Sequence, residues 1–347
     1  MARAALTALA ALAFVGCGAS DAPITGGGRV VGDAVTVYSS LPDPGRGAAR
    51  DMVEAQKLAL LQADGKAGEL DVNFVSVDEG TAGADDPAEV AATAAEEVIR
   101  DPQVMAVIGA LRSQTALTSI PLFNAAGILH VSPGAGYQGF TSPIAPGEPE
   151  RWFPSPRANF SRLVGDDVAQ AAALLAAARG RVLVEAEAGR VPEALAAALV
   201  AADEEGRIVD DPARADTVIY AGTDVESAAG VAEAIEGADL VFGDELARAG
   251  LADRLPRAAR RRATFVSSAP EPGSTPELRA FEADFLAEYG RRPGPYGVLG
   301  WRAMRRVLEA IEGAGDRANR RQAVIRAYFE LPAEPRRFTT FRARDLL

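Results

Sequence analysis

From Asp33 onward, short apolar segments alternate with longer amphipathic segments along the whole chain. Residues 35–38 have the β-branched composition of a strand, whereas residues 48–62 repeat apolar side chains at helical spacing. Val104–Ile108 is apolar throughout, which is typical of a parallel strand that is covered on both faces. Strands that alternate with helices predict parallel sheets built from right-handed βαβ units. The pattern therefore restricts the chain to the α/β class.

A proline-rich segment at residues 143–156 interrupts this alternation, which then restarts with a second set of strands and helices. Two similar units predict two lobes, each a doubly wound parallel sheet. Ligands of such sheets bind at the carboxyl ends of the strands, so two facing edges predict a ligand cleft between the lobes. The predicted boundaries are 33–155 and 270–328 for lobe 1, and 156–269 and 329–347 for lobe 2.

The amino-terminal segment has the anatomy of an export signal. Residues 4–15 form an apolar run that is shorter than the roughly 20 residues needed to span a bilayer. Gly16 precedes Cys17, the only cysteine, and this pair resembles the lipobox of bacterial lipoproteins. We therefore predict a signal peptide at 1–16, a lipid on Cys17 that anchors the protein to the outer face of the cytoplasmic membrane, and a flexible tether at 17–32. The alternative is a secreted protein with an incidental cysteine.

Composition and missing motifs exclude several functions. The formal net charge of −12 argues against nucleic acid as a partner, and the arginine-rich stretch at 257–262 is interpreted as a solvated helix end. The only histidine, His130, lies inside an apolar strand, where a packed core residue is more common than a catalyst. No nucleophile elbow, Walker loop or dinucleotide fingerprint is present. We predict no enzymatic activity, no cofactor and no metal site.

Two motifs at the ends of neighbouring strands resemble a known family. Residues 107–113 read Val-Ile-Gly-Ala-Leu-Arg-Ser, and residues 127–135 read Gly-Ile-Leu-His-Val-Ser-Pro-Gly-Ala. Together with the late segments 281–293 and 296–301, they resemble the branched-chain amino acid-binding proteins of ABC importers. The resemblance implies the type I periplasmic-binding-protein fold, in which two lobes hold a solute and dock on a membrane permease.

The same motifs contain the first candidate site residues. Ser113 lies between a buried strand and a helix, where its hydroxyl and nearby N–H groups can receive an anion. Gly134, Ala135 and Gly136 form a turn with little side-chain bulk, which allows the backbone to approach a ligand closely. The resemblance implies that Ser113 binds a carboxylate and that the turn offers backbone contacts. A simple helix cap and a plain turn are the alternatives.

The resemblance also implies three contacts from other segments. Thr223 lies in a lobe-2 loop where an aromatic residue is common, and Glu245 matches an acid that pairs with a ligand ammonium, a role that neighbouring Asp244 could take. Tyr296 matches an aromatic residue that flanks the ligand side chain. One departure stands out, because the family's turn closes on a threonine and this chain has Gly136 there.

These features predict a solute-binding lipoprotein of an ABC importer that holds a small polar ligand between two lobes. The ligand class is an amino acid, an amide or a related carboxylate. The alternatives are a ligand-sensing receptor subunit and a degenerate clamp with no transport role.

Overall fold

A computed structural model describes residues 28–80 and 86–346. The predicted signal peptide, Cys17 and most of the predicted tether lie outside the described residues. Within the described ranges, no helix combines the length and the apolar composition needed to cross a bilayer.

The first sheet has six strands in the order β2-β3-β1-β4-β5-β6. All neighbouring pairs are parallel except β2 with β3, which are antiparallel. The strands are β1 (Ala34–Leu41), β2 (Lys66–Ala67), β3 (Leu70–Asp78), β4 (Val104–Ile108), β5 (Leu129–Ser132) and β6 (Phe160–Arg162).

The second sheet has five strands in the order β11-β10-β9-β8-β7. Its first four strands along the chain are parallel, and the last strand pairs antiparallel at the edge. The strands are β7 (Val182–Ala186), β8 (Thr217–Ala221), β9 (Asp239–Phe242), β10 (Ala263–Ser267) and β11 (Thr339–Arg342). Two mostly parallel sheets in one chain confirm the predicted α/β architecture.

Helices follow the strands as the alternation predicts. The pair Asp86-Pro87 predicts a helix start, and Asp86 caps the second helix by accepting from the N–H groups of Ala88 and Glu89 at 3.0 and 3.1 Å. The helices around the first sheet are α1 (Gly47–Gln62), α2 (Pro87–Arg100), α3 (Ser113–Ala125), α10 (Pro276–Tyr289), α11 (Gly297–Gly313) and α12 (Arg321–Glu330). Those around the second are α4 (Asp167–Ala177), α5 (Arg190–Ala202), α6 (Val225–Ala234), α7 (Asp244–Arg248), α8 (Leu251–Arg254) and α9 (Arg257–Arg262).

The chain changes sheets later than the predicted boundary at 155. Strand β6 pairs with β5 in the first sheet, although the sequence analysis assigned its residues to lobe 2. The first crossing therefore follows Arg162. The chain returns after β10 and crosses again between α12 and β11.

The apolar spacing over residues 246–255 predicts one helix, whereas the structure forms two short helices there. Gly250 separates α7 from α8 with a φ of 79°, a left-handed conformation that glycine adopts readily. Helix α7 also begins at Asp244, immediately after the carboxyl end of β9. This start brings Asp244, Glu245 and Arg248 to the edge of the second sheet that faces the cleft.

His130 is a packed core residue, as its apolar strand predicted. Its side chain is fully buried, and its ring lies edge-on to Phe123 and Phe160 at centroid distances of 4.9 and 5.2 Å. Nε2 accepts from the N–H of Ala110 at 3.0 Å. Burial lowers the pKa of His130 to about 3, so the imidazole is neutral at neutral pH.

Candidate functional site

A cavity of about 40 Å³ lies between the carboxyl ends of the two sets of strands. Its walls combine backbone turns of lobe 1 with helix starts and loops of lobe 2. The lining residues are Ser113, Gly134, Gly136, Val164, Gly165, Asp167, Gln170, Val191, Pro192, Leu195, Gly222, Thr223, Gly243, Asp244, Glu245, Arg248 and Phe338.

The structure brings five of the seven predicted ligand-binding residues to this cavity. They are Ser113, Gly134, Gly136, Thr223 and Glu245. Ala135 is fully buried in the turn and does not line the cavity. Tyr296 is also buried and lies behind the cavity wall, where its hydroxyl contacts Asp244 and Ser267. Tyr296 therefore supports the wall in this structure.

Ser113 ties the two lobe-1 motifs together. It is the first residue of α3, and its hydroxyl accepts from the N–H groups of Gly136 and Tyr137 at 3.1 and 3.2 Å. The N-cap residue, Arg112, makes no side-chain capping bond, so Ser113 does not act as a simple helix cap. With both acceptor positions engaged by the turn, the hydroxyl retains its proton as a donor.

Gly134 lies where only a residue without a side chain fits. A Cβ atom at this position would overlap the carbonyl oxygen of Leu111 and lie 3.0 Å from Cζ of Arg248. Ser132 stabilises the turn, because its hydroxyl accepts from the N–H groups of Gly134 and Ala135 at 3.2 and 2.8 Å. The backbone of this turn therefore contacts the opposite lobe directly.

Asp244 is the centre of a buried polar cluster in lobe 2. Its carboxylate accepts from the N–H and hydroxyl of Ser268 at 2.8 and 2.6 Å, and from the hydroxyl of Tyr296 at 3.3 Å. Its backbone N–H donates to Gln170 Oε1 at 2.9 Å. Arg248, one helical turn later, completes the cluster with an ion pair to the same carboxylate.

Arg248 also reaches across the cleft. Its second terminal nitrogen donates to the carbonyl oxygens of Leu111 and Gly134 in lobe 1, at 3.2 and 3.0 Å. The side chain is only 3% exposed. Burial alone would lower its pKa, but Asp244 and Glu245 outweigh that effect and raise the pKa above its ordinary value. A permanent cation therefore joins the two lobes at the candidate site.

Two further acids face the cavity. Burial raises the pKa of Glu245, while Arg248, Arg112 and the N–H of Ser113 act in the opposite direction. Glu245 Oε1 is buried and has no hydrogen-bond partner among the described residues. Burial also raises the pKa of Asp167 to about 7, although Asp167 accepts from the N–H of Gln138 at 2.7 Å. The site thus presents one unused buried acceptor to a ligand that can donate.

A second contact between the lobes lies at the rim. Arg190, the first residue of α5, binds Oε1 of Glu148 at 2.8 Å. Glu148 also accepts from the hydroxyl of Tyr137 at 2.9 and 3.0 Å. The Arg190 side chain is 37% exposed, so this pair borders solvent on one side.

Arg248 is the main site residue that the sequence analysis missed. The Asp244-x-x-x-Arg248 spacing places an acid and a base on one helical face directly after a strand, and this was the available signal. Asp167 and Gln170 of α4 and Phe338 before β11 carried no comparable local signal, because neither segment has a motif that points to the cavity.

No protein-family model matches the chain, and no curated protein matches its sequence. Solved structures do match its fold. A leucine-binding protein of Thermotoga maritima is 20% identical with a TM-score of 0.67, covering 85% of this chain and 87% of that protein. The branched-chain amino acid transporter substrate-binding protein LivJ of Streptococcus pneumoniae, in complex with isoleucine, is 16% identical with a TM-score of 0.65 and coverages of 85% and 87%.

A solute-binding protein of an ABC transporter from R. palustris, in complex with benzoate, is also similar. It is 18% identical with a TM-score of 0.65, and the match covers 88% of each chain. At this level of identity the likeness concerns the fold. The two-lobed α/β fold of type I periplasmic binding proteins, which the strand-end motifs predicted, is confirmed.

Proposed function

We propose that this protein binds a small polar solute between its lobes and delivers it to an ABC permease. In this proposal the chain catalyses no reaction. The ligand class is an amino acid, an amide or a related carboxylate. Ser113 and the turn at Gly134 to Gly136 contribute from lobe 1, and Thr223 and Glu245 contribute from lobe 2.

One observation carries the proposal. The cavity lies between the strand ends of both lobes, and Glu245, which lines it, has a buried oxygen, Oε1, with no hydrogen-bond partner in the part of the chain that the structure describes. A buried polar atom without a hydrogen bond is costly, and a solute that donates to it would remove that cost. The Ser113 hydroxyl, still able to donate, offers the complementary group for a carboxylate or carbonyl oxygen.

The ligands of similar structures support this class without choosing within it. Two of the similar structures are complexes with isoleucine and with benzoate. Both ligands carry a carboxylate, but only isoleucine carries an amino group. A donor to the carboxylate is therefore the common requirement, which Ser113 meets from the amino-terminal end of α3.

The test is a thermal-shift screen followed by calorimetric titration of the purified protein. The panel contains amino acids, small amides, aliphatic carboxylates and benzoates. We expect one class to raise the melting temperature by several degrees, as ligand linkage requires at saturating concentration. A flat response across the whole panel would contradict solute binding and would support the degenerate clamp.

Three variants then locate the site for any solute that binds. Thr223→Val keeps the side-chain shape but removes the hydroxyl of Thr223. Ser113→Ala removes the hydroxyl of Ser113. Each should weaken binding by about tenfold, the equivalent of one hydrogen bond of about 1.4 kcal/mol. Ser274→Ala, an exposed serine outside the cavity, is the matched control and should bind as the wild type does. Unchanged affinity in both site variants would remove these residues from the site.

We also propose that Cys17 carries a lipid that holds the protein at the outer face of the cytoplasmic membrane. Cys17→Ser should shift the protein from the membrane fraction to the soluble fraction and abolish incorporation of a labelled fatty acid. Retention of the label in the variant would exclude this site of lipidation. A receptor role is the remaining alternative, and binding to a kinase instead of permease subunits in a pull-down from membranes would favour it.

A further inference from the structure

The strongest feature that solute binding leaves unexplained is the guanidinium of Arg248. Among the described residues that line the cavity, it is the one cation. Arginine side chains seldom occur so deeply buried, because removing the charge from water costs several kcal/mol unless partners compensate for it. The partners of Arg248 therefore indicate what this position is built to hold.

Three acceptors converge on the guanidinium from both lobes. Lobe 2 supplies the carboxylate of Asp244, and lobe 1 supplies the carbonyl oxygens of Leu111 and Gly134. Asp244 is itself fixed by Ser268 and Tyr296. A buried carboxylate with two carbonyl oxygens is a set that would equally receive an ammonium or guanidinium group of a small solute.

The neighbouring glycine shows that the arginine and the turn fit each other. Cζ of Arg248 lies 3.0 Å from the position that a Cβ atom of Gly134 would occupy. Any larger residue at 134 would push the guanidinium away from the carbonyl oxygens. The contact is therefore a fitted junction between the lobes.

We infer that Arg248 is an internal substitute for a ligand cation, which joins the lobes through acceptors that a cationic solute would otherwise use. Closure of the cleft then needs no solute, since both sides of the junction belong to the chain. This inference rests on the proposed function in one respect: among the described residues, a solute ammonium finds only Glu245 Oε1 free unless it displaces Arg248 from Leu111 and Gly134. A solute without a cationic group needs no such displacement. Arg248 is thus a specificity-determining residue that disfavours free amino acids relative to carboxylates and amides.

Removal of the guanidinium should have two measurable effects. In Arg248→Ala the junction between the lobes is lost, so the cleft should open. The variant also retains three acceptors around a space of guanidinium size, so a small cation should bind there and close the cleft again.

The experiment measures the distance between the lobes in the full chain. Spin labels are placed on Thr93→Cys in α2 and Glu233→Cys in α6, two exposed helical positions, in a Cys17→Ser background. Double electron–electron resonance should give a longer mean distance for Arg248→Ala than for the parent. Methylguanidinium at millimolar concentration should restore the shorter distance in this variant and leave the parent unchanged. Arg254→Ala, which breaks an exposed ion pair on the same lobe, is the matched control and should keep the parental distance.

Asp244→Asn provides a second test that does not depend on the folding of Arg248→Ala. It keeps the side-chain shape, weakens the hold on the guanidinium and should lengthen the distance by a smaller amount. The inference is overturned if both variants keep the parental distance between the spin labels. If Arg248→Ala fails to fold, a parental distance in Asp244→Asn alone overturns it. Opening that methylguanidinium cannot reverse would also overturn it, because the acceptors would then not form a cation site.

This outcome is separable from that of the solute screen. Arg248→Ala can open the cleft, and methylguanidinium can close it again, even if no solute on the panel binds. In that case the proposal of solute binding fails, but the inference about Arg248 is supported. Conversely, a solute can bind to a chain whose lobe distance does not depend on Arg248. If free amino acids bind the parent as tightly as they bind the Arg248→Ala variant, the specificity role is contradicted. The role of Arg248 in joining the lobes is not affected by that result.

Discussion

Two arginines of lobe 2 cross to lobe 1, and they differ mainly in depth. Arg248 is 3% exposed and donates to two carbonyl oxygens while pairing with a buried acid on its own helix. Arg190 is 37% exposed and pairs with Glu148 at the rim. Both contacts join the same two lobes, yet only the Arg248 guanidinium is almost completely removed from solvent.

The difference shows why charge alone does not determine the strength of a contact between lobes. At the rim, the Arg190 guanidinium stays partly in water, which screens its charge, and the buried Glu148 carboxylate has the Tyr137 hydroxyl as a second partner. A buried pair is different, because the loss of one partner leaves the other charge without water or counter-ion. The contact of Arg248 with Leu111 and Gly134, called the inner junction, should therefore contribute most to stability and to closure of the cleft. The Arg190–Glu148 pair at the rim should contribute less to both.

The largest expected effect comes from Arg248→Ala, which should lower the free energy of unfolding by about 3–5 kcal/mol because Asp244 loses its buried counter-ion. Urea denaturation measures this change. Asp244→Asn combined with Arg248→Ala should recover part of the loss, since no unpaired charge remains. A loss as small as that of Arg190→Ala would remove the distinction between the two contacts.

Gly134→Ala should disturb the inner junction without changing any charge. The added methyl group overlaps Leu111 O and presses on Arg248, so we expect a loss of about 2–3 kcal/mol in the free energy of unfolding. Gly136→Ala is the matched control in the same turn, because its Cβ would lie 3.3 Å from the nearest atom, Gly165 O. Equal losses in the two variants would show that the turn, and not the junction, sets the cost.

Glu79 makes the inner junction sensitive to pH. Its carboxyl accepts from the N–H of Leu111 at 2.8 Å, the residue whose carbonyl binds Arg248. Burial raises the pKa of Glu79 to about 8, from an ordinary 4.5. The folded state then holds a proton that the unfolded chain has already released, so stability falls as pH rises between these values.

Glu79→Gln removes that titration and should flatten the pH dependence. Relative to the variant, the wild type should lose roughly 2 kcal/mol of stability between pH 5 and pH 7. Urea denaturation at several pH values measures the difference in unfolding free energy between the two proteins. Asp167 and His130 titrate in both proteins, so their contributions cancel in this difference. Glu69→Gln, at an exposed turn, serves as the control. A difference that does not change with pH would mean that Glu79 is ionised in the fold.

Arg190→Ala should have the smallest effect, a loss of about 1–2 kcal/mol, because its guanidinium is partly hydrated but the buried Glu148 carboxylate loses its counter-ion. Glu148 keeps its bonds with Tyr137 when Arg190 is removed. Thermal unfolding in low and high salt checks the origin of the effect, because a screened pair should lose its contribution as salt rises. A loss comparable to that of Arg248→Ala would show that the rim also holds the lobes.

Most of the fold was predictable because its signals are local. The β-branched segment at β1 and the apolar run at β4 identified strands, and the Asp-Pro pair identified the start of α2. Strand β6 was misassigned because three residues that end in a buried arginine carry no strand pattern. The break between α7 and α8 was missed because a single glycine in a helical pattern is compatible with either one helix or two.

Local patterns predicted only the lobe-1 side of the candidate site, whereas Thr223 and Glu245 of lobe 2 were expected only from the family resemblance. Ser113 and Gly134 follow directly from the ends of β4 and β5, where parallel strands bring their loops together. Tyr296, expected to flank the ligand side chain, lies behind the cavity wall, where its hydroxyl donates to Asp244. The expected ligand contacts of these residues stay predictions until a solute is identified.

The sequence by itself determined the α/β class, the two-lobe arrangement and the lobe-1 turn, because hydrophobic periodicity and strand-end residues act over a few positions. Only the tertiary structure decided which charges meet in the cleft. Arg248 lies 137 residues from Leu111 and 114 from Gly134, and no local pattern links them. Their contact depends on how two separately formed sheets face each other, and burial at that junction turns an ordinary helix-surface arginine into the cation that joins the lobes.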